Sequence, residues 1–201
     1  MGVIPMINIL YLHGFLSRQN SNKGLLLKDS LKAETMRVPV MPFLAMDCIE
    51  RRIREMDGNV CLVGHSLGGF YATILSKRLN IPAVLLNPSV FPSESPTLKQ
   101  EGILNGFDFI PSGWGLSDAI AELKSLESQA IDITRPDKIL VLVQTGDELA
   151  DHKSTIDYYD GSEHITIEGG NHKFENLQEW LPEISLFFSH CYRKANKITA
   201  P

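Results

Sequence analysis

The chain has no apolar run of the roughly 18 residues that a membrane-crossing helix needs. Cysteine is scarce: Cys48, Cys61 and Cys191 are the only three in 201 residues. An odd, widely spaced set offers neither a disulfide framework nor the Cys-x-x-Cys or Cys/His spacing of a metal site. Three small free thiols in a reducing cytosol are the simplest account. Basic residues are also few, 19 Lys and Arg against 24 Asp and Glu, for a formal net charge of -5. Nucleic acid requires a basic face to neutralise its phosphates, so no nucleic-acid partner is expected. The first ten residues lack both a basic segment and a small-residue cleavage site, so they do not read as a secretory leader. Internal repeats, low-complexity tracts and phosphate-cradling glycine loops are absent as well. The sequence implies no cofactor and no metal, and it carries no reading of oligomeric state.

What remains is 43% hydrophobic and 21% charged. That suffices for a buried core, and the length suits one domain over residues 1–201. Short β-branched apolar runs alternate with amphipathic stretches. Strands are expected at Ile7 to Leu12, Glu34 to Val40, Asn59 to Val63, Pro82 to Leu86, Lys138 to Gln144 and Glu163 to Glu168. Helices are expected at Ser21 to Ala33, Met46 to Met56, Leu67 to Leu79 and Lys153 to Tyr159. A last helix runs to about Cys191, with Pro182 in its first turn. Residues 88–135 interrupt the alternation with prolines, glycines and one helix, Ser117 to Ser128. They read as a small lid or insertion, because about 50 residues make a thin independent core. Phe91, Phe107, Phe109 and Trp114 there would line an acyl pocket or form the lid's own core. Apolar strands alternating with helices imply an α/β fold with a mostly parallel sheet covered on both faces. In such sheets the site lies beyond the carboxyl ends of the strands.

The sharpest motif sits at such an end. Strand Asn59 to Val63 runs into Gly64-His65-Ser66-Leu67-Gly68-Gly69, which is G-x-S-x-G between strand and helix, the nucleophile elbow of the α/β-hydrolase fold. A tight turn lifts the Ser66 hydroxyl above the sheet. Gly64 and Gly68 lack side chains because the strand and helix backbones pass close together there. His65 is a poor base for its neighbour, since the elbow directs adjacent side chains apart. Acyl transfer also needs two amide donors for the developing oxyanion. The Leu67 amide is one. The Phe15 amide, after strand Ile7 to Leu12 and a turn at Gly14, is the other, with Leu16 as fallback. His13 is expected to pin that loop by hydrogen bonds.

Chain order in this fold is Ser, then acid, then His. Of six histidines, only His172 follows the last apolar strand in a glycine-containing loop and precedes the last helix. It is the expected base. The acid should follow strand Lys138 to Gln144, where Asp147 is the first choice and Asp151 the second. The expected chemistry is hydrolysis of a small-molecule ester or thioester through a serine acyl-enzyme. The other readings are a hydrolase-fold binding protein with an idle triad, and an acyltransferase.

The motifs His13-Gly14-Phe15, Gly64 through Thr73, Pro82-Ala83-Val84 with Asn87-Pro88, Gln144 through Glu148, and Glu168 through His172 occur in this order. In this the chain resembles the YqiA-like esterase family of small α/β-hydrolases, over about Ile7 to Phe188. The resemblance implies a cytoplasmic bacterial carboxylesterase with a minimal lid, and it favours Asp147 over Asp151. A related branch lacks the serine, whereas this chain keeps Ser66.

Overall fold

The computed structural model describes residues 7–100, 103–106, 110–130 and 136–198. Among the described residues six strands form one sheet: β1 (Ile7–Leu12), β2 (Glu34–Thr35), β3 (Asn59–His65), β4 (Ala83–Leu86), β5 (Ile139–Gln144) and β6 (Glu163–Ile167). Their spatial order is β2-β1-β3-β4-β5-β6, and every adjacent pair is parallel. The described residues also form six α-helices: α1 (Asn22–Leu31), α2 (Pro42–Glu55), α3 (Leu67–Leu79), α4 (Leu116–Ala130), α5 (His152–Tyr158) and α6 (Leu181–Ile198). This is the α/β-hydrolase architecture that the alternating pattern implies.

The two-residue side-chain period of each strand divides the core between the faces of the sheet. Leu10, Leu12, Val60, Leu62, Val141 and Val143 point to the face covered by α2, α3 and α4. Ile9, Tyr11, Cys61, Val63, Leu140 and Leu142 point to the other, covered by α1 and α6. Burial on both faces explains why β1, β3, β4 and β5 read as nearly unbroken apolar runs, whereas the edge strands β2 and β6 are only partly buried.

Three boundaries differ clearly from expectation, one of them the end of α6, which runs on to Ile198 and not to about Cys191. β2 pairs only through Glu34 and Thr35, so the strand does not extend to Val40. The Val38 N–H instead donates to His13 Nε2 (3.2 Å), and Pro39 has no N–H to give to a ladder. α2 begins at Pro42, four residues before Met46. A missing N–H is harmless at a first helical position, and proline's fixed φ suits it.

Strand order reverses between β1 and β3, so their connections leave in opposite directions and open a crevice at the carboxyl edge. The loop after β1 and the turn after β3 both border that crevice. Between β4 and β5 the described residues form four short 3₁₀ turns and α4, whose Leu123, Leu126 and Ala130 join the same core as α3. Phe107 and Phe109 lie outside the described residues. Among the described residues no helix is long and apolar enough to cross a membrane.

Candidate active site

Ser66 sits between β3 and α3 with φ 54° and ψ -121°, a conformation that L-residues adopt only when the surroundings enforce it. The enforcement is steric. A Cβ on Gly64 would lie 2.5 Å from the Gly68 carbonyl oxygen, and one on Gly68 would lie 2.1 Å from the Leu12 carbonyl oxygen. Both positions therefore exclude any side chain, and the turn between them is forced upward. The Leu67 N–H occupies the first position of α3, where no intrahelical carbonyl can accept from it.

His172 lies in the loop between β6 and α6. Its Nε2 is 2.8 Å from Ser66 Oγ. Its Nδ1 is 3.0 and 2.9 Å from the two carboxylate oxygens of Asp147. A carboxylate only accepts, so the ring proton belongs on Nδ1, and Nε2 accepts from the Ser66 hydroxyl. The Asp147 side chain is 3% exposed. Its Oδ1 also accepts from the N–H groups of Leu149 (2.8 Å) and Ala150 (3.0 Å), which fixes the carboxylate plane.

Asp151 does not join this line. It is the N-cap of α5, where its Oδ2 accepts from the backbone N–H (2.8 Å) and hydroxyl (2.7 Å) of Ser154. Those bonds hold its carboxyl below the usual range.

The loop after β1 behaves partly as expected. His13 Nδ1–H donates to the Gly14 carbonyl (2.9 Å) while Nε2 accepts from Val38, so His13 ties two loops together. Burial pushes its pKa down. The positive φ of this loop falls on Leu16 (60°), not on Gly14. Gly14 is needed for close approach instead: a Cβ there would lie 3.0 Å from the Cβ of Ser66. Phe15, Leu67, Ser66 and His172 all line one cavity of about 800 Å³. Phe91 also lines it. Trp114 does not, and its indole N–H donates to Glu122 (2.8 Å).

The family model of the uncharacterised protein family UPF0227 matches residues 8–189. The chain belongs to this family. UPF0227 proteins of Yersinia pseudotuberculosis serotype O:1b (strain IP 31758) and Yersinia pestis bv. Antiqua (strain Angola) are each 25% identical to it over 197 residues. Each alignment covers 89% of this chain and 97% of the relative. Among solved structures, Est1E from Butyrivibrio proteoclasticus with bound ferulic acid superposes with a TM-score of 0.67 at 15% identity, covering 96% of this chain and 91% of that one. The monoacylglycerol lipase of Paleococcus ferrophilus gives 0.66 at 15% identity, over 92% and 94%. The ydeN gene product of B. subtilis gives 0.66 at 16%, over 92% and 100%. At such identities the likeness establishes the fold.

In this UPF0227 chain several side chains hold the His172 loop that residue patterns alone did not single out for that purpose. Asn87, just after β4, donates through Nδ2 to the Asn171 carbonyl (2.9 Å) and accepts from the Gln144 N–H (2.8 Å). Gln144, 2% exposed, accepts from the N–H groups of Asn171 (3.2 Å) and Glu175 (2.9 Å) and donates to the Glu175 carbonyl (2.9 Å). His65 Nε2–H donates to the His172 carbonyl (2.7 Å). Burial, with Lys23 nearby, pushes the His65 pKa down to about 3, so this ring stays neutral. Glu148 accepts from the His172 N–H (2.9 Å), which lowers its own pKa. The available signal was a polar residue closing each apolar run, Asn87 after β4 and Gln144 at the end of β5.

One consequence is measurable. Gln144→Leu leaves two part-buried N–H groups and a carbonyl without this partner. Stability should drop by about 2–3 kcal/mol, read as a lower midpoint in urea denaturation with an unchanged slope.

Proposed function

We propose that this UPF0227 protein is a serine hydrolase of carboxylic esters or thioesters, with Ser66, His172 and Asp147 as its triad. The observation that carries the reading is the unbroken hydrogen-bond line from Asp147 through His172 to Ser66, opening on a cavity of about 800 Å³. In this reading Ser66 Oγ attacks the substrate carbonyl carbon while His172 Nε2 takes the hydroxyl proton. The oxyanion is held by the Leu67 and Phe15 amides. His172 returns the proton to the departing alcohol or thiol, leaving an acyl-enzyme. Water then attacks that ester with His172 again as base, releasing the acid and restoring Ser66. Asp147 keeps the proton on Nδ1 and stabilises the imidazolium.

The YqiA-like resemblance supports the same chemistry and a cytoplasmic bacterial setting. Two fold relatives point the same way, one named as a monoacylglycerol lipase and one bound to ferulic acid. Residues 88–135 act as a minimal lid within a single domain, and Phe91 lines the acyl side of the cavity.

The test is covalent labelling with a fluorophosphonate, followed by a panel of p-nitrophenyl esters and acyl-CoA thioesters of rising chain length. Labelling confined to Ser66, with turnover of at least one ester, is the expected result. A folded protein that neither labels nor turns over any member is a hydrolase-fold binding protein instead.

A further inference from the structure

The cavity around Ser66 draws its wall from two chemically different parts of the chain. The β4–β5 connection contributes apolar side chains, among them Val90, Phe91, Leu98 and Leu104. The start of α1 and the loop that carries His172 contribute Ser21, Asn22, Lys23 and Lys173. Lys23 stands in the first turn of α1, a helix with no acidic residue in that turn. Its ammonium donates to the Lys173 carbonyl (2.5 Å), directly beside His172.

Lys23 is placed against its own electrostatic interest. It is partly buried and close enough to Lys173 for the two charges to repel. It occupies the amino-terminal end of a helix, where the dipole disfavours a cation. Among the described residues neither lysine has a carboxylate within 4.0 Å. The two carboxylates elsewhere in the cavity wall are engaged, Asp151 by capping α5 and Glu175 by Asn171 Nδ2 (2.5 Å). Burial and the neighbouring Lys173 pull the Lys23 pKa down to about 8. An anion between the two ammonium groups would relieve all of these terms at once.

We propose that Lys23 and Lys173 form the leaving-group subsite of this cavity, and that the substrates are esters with an apolar acyl group and an anionic alcohol or thiol portion. The proposal rests on Ser66 being the nucleophile. It divides the substrate at the scissile bond: the acyl chain lies along the Val90–Leu104 wall, and the departing group carries a carboxylate or phosphate toward Lys23.

A matched pair of esters tests it, the butyryl ester of 4-hydroxybenzoate and that of methyl 4-hydroxybenzoate, which differ by one negative charge on the leaving group. Near neutral pH the anionic ester should show a kcat/KM higher by about five- to tenfold, carried in KM. Lys23→Met should collapse that ratio toward one, and Lys23→Arg should retain it. The ratio should also fall as pH rises through about 8, because loss of the proton removes the charge that the anion meets. The other titratable groups lining the cavity are Lys173, His65, His172, Asp151 and Glu175. Dependence of chemistry on His172 cancels in the ratio. Binding of the two uncleaved esters to Ser66→Ala protein, measured by calorimetry, reads the subsite without any turnover. Tighter binding of the anion, lost in Ser66→Ala/Lys23→Met, supports the subsite even if hydrolysis fails. Equal kcat/KM values, or equal binding of the two esters, overturn it even if hydrolysis is confirmed.

Discussion

Ser66→Ala should lower turnover of p-nitrophenyl butyrate by roughly 10⁶-fold, if the three residues act as one unit. Without Oγ there is no atom to attack the carbonyl, and His172 has no hydroxyl to activate. The fold should survive, because the steric demand at the elbow comes from Gly64 and Gly68 and not from the hydroxyl. Circular dichroism and the thermal midpoint should therefore stay close to the parent. Alanine in place of serine at φ 54° adds no atoms to the turn. Retained turnover would redirect attention to Ser89, whose Oγ lies 3.4 Å from that of Ser66. A Ser66→Ala/Ser89→Ala double variant would then separate a second nucleophile from solution hydrolysis.

Asp147→Asn should cost roughly 10⁴-fold in kcat with little change in stability, and the hydrogen bonds give the reason. Oδ1 accepts from two backbone amides, Leu149 and Ala150. In the variant those amides hold the amide oxygen at the Oδ1 position, so the NH₂ group takes the Oδ2 position, 2.9 Å from His172 Nδ1. An NH₂ group there donates, and Nδ1 must accept. The ring proton then moves to Nε2, which can no longer take a proton from Ser66. Asp151→Ala is the control. It should change kcat by no more than a few fold while costing about 1 kcal/mol through loss of the α5 cap. If the two effects were exchanged, Asp151 would be the orienting acid. A shift of the His172 Nδ1–H proton resonance in Asp147→Asn alone would report the tautomer directly.

The two carboxylates mark where sequence reasoning stops. Asp147 and Asp151 stand in one loop after β5, four positions apart, and either side chain has the chemistry to orient a histidine. The choice between them as partner of His172 depends on which one the backbone has already engaged. Ser154, three residues further on, engages Asp151 as a helix cap, while Leu149 and Ala150 turn Asp147 toward the histidine. The clamp of Asn87, Gln144 and His65 on the His172 loop is a stronger case. Its bonds join residues 84, 27 and 107 positions apart. Such pairs meet only because β3, β4 and β5 are adjacent and end at one level, and no local pattern encodes that adjacency.

By itself the sequence determined the parts whose cause is local. Unbroken β-branched runs specify doubly buried strands. The elbow follows from glycines two residues either side of Ser66, because backbone sterics act within a few residues. Chain order then narrowed six histidines to His172. The tertiary structure decided everything that depends on register across the sheet. It shortened β2, because His13 takes the Val38 N–H. It gave Gly14 a packing role in place of a turning one. It selected Asp147 as the hydrogen-bond partner of His172, and it brought Lys23, from the far side of the β1 crossover, to Lys173. Local sterics are written into neighbouring residues. Hydrogen bonds and charges between distant loops exist only once the strands that carry them have paired.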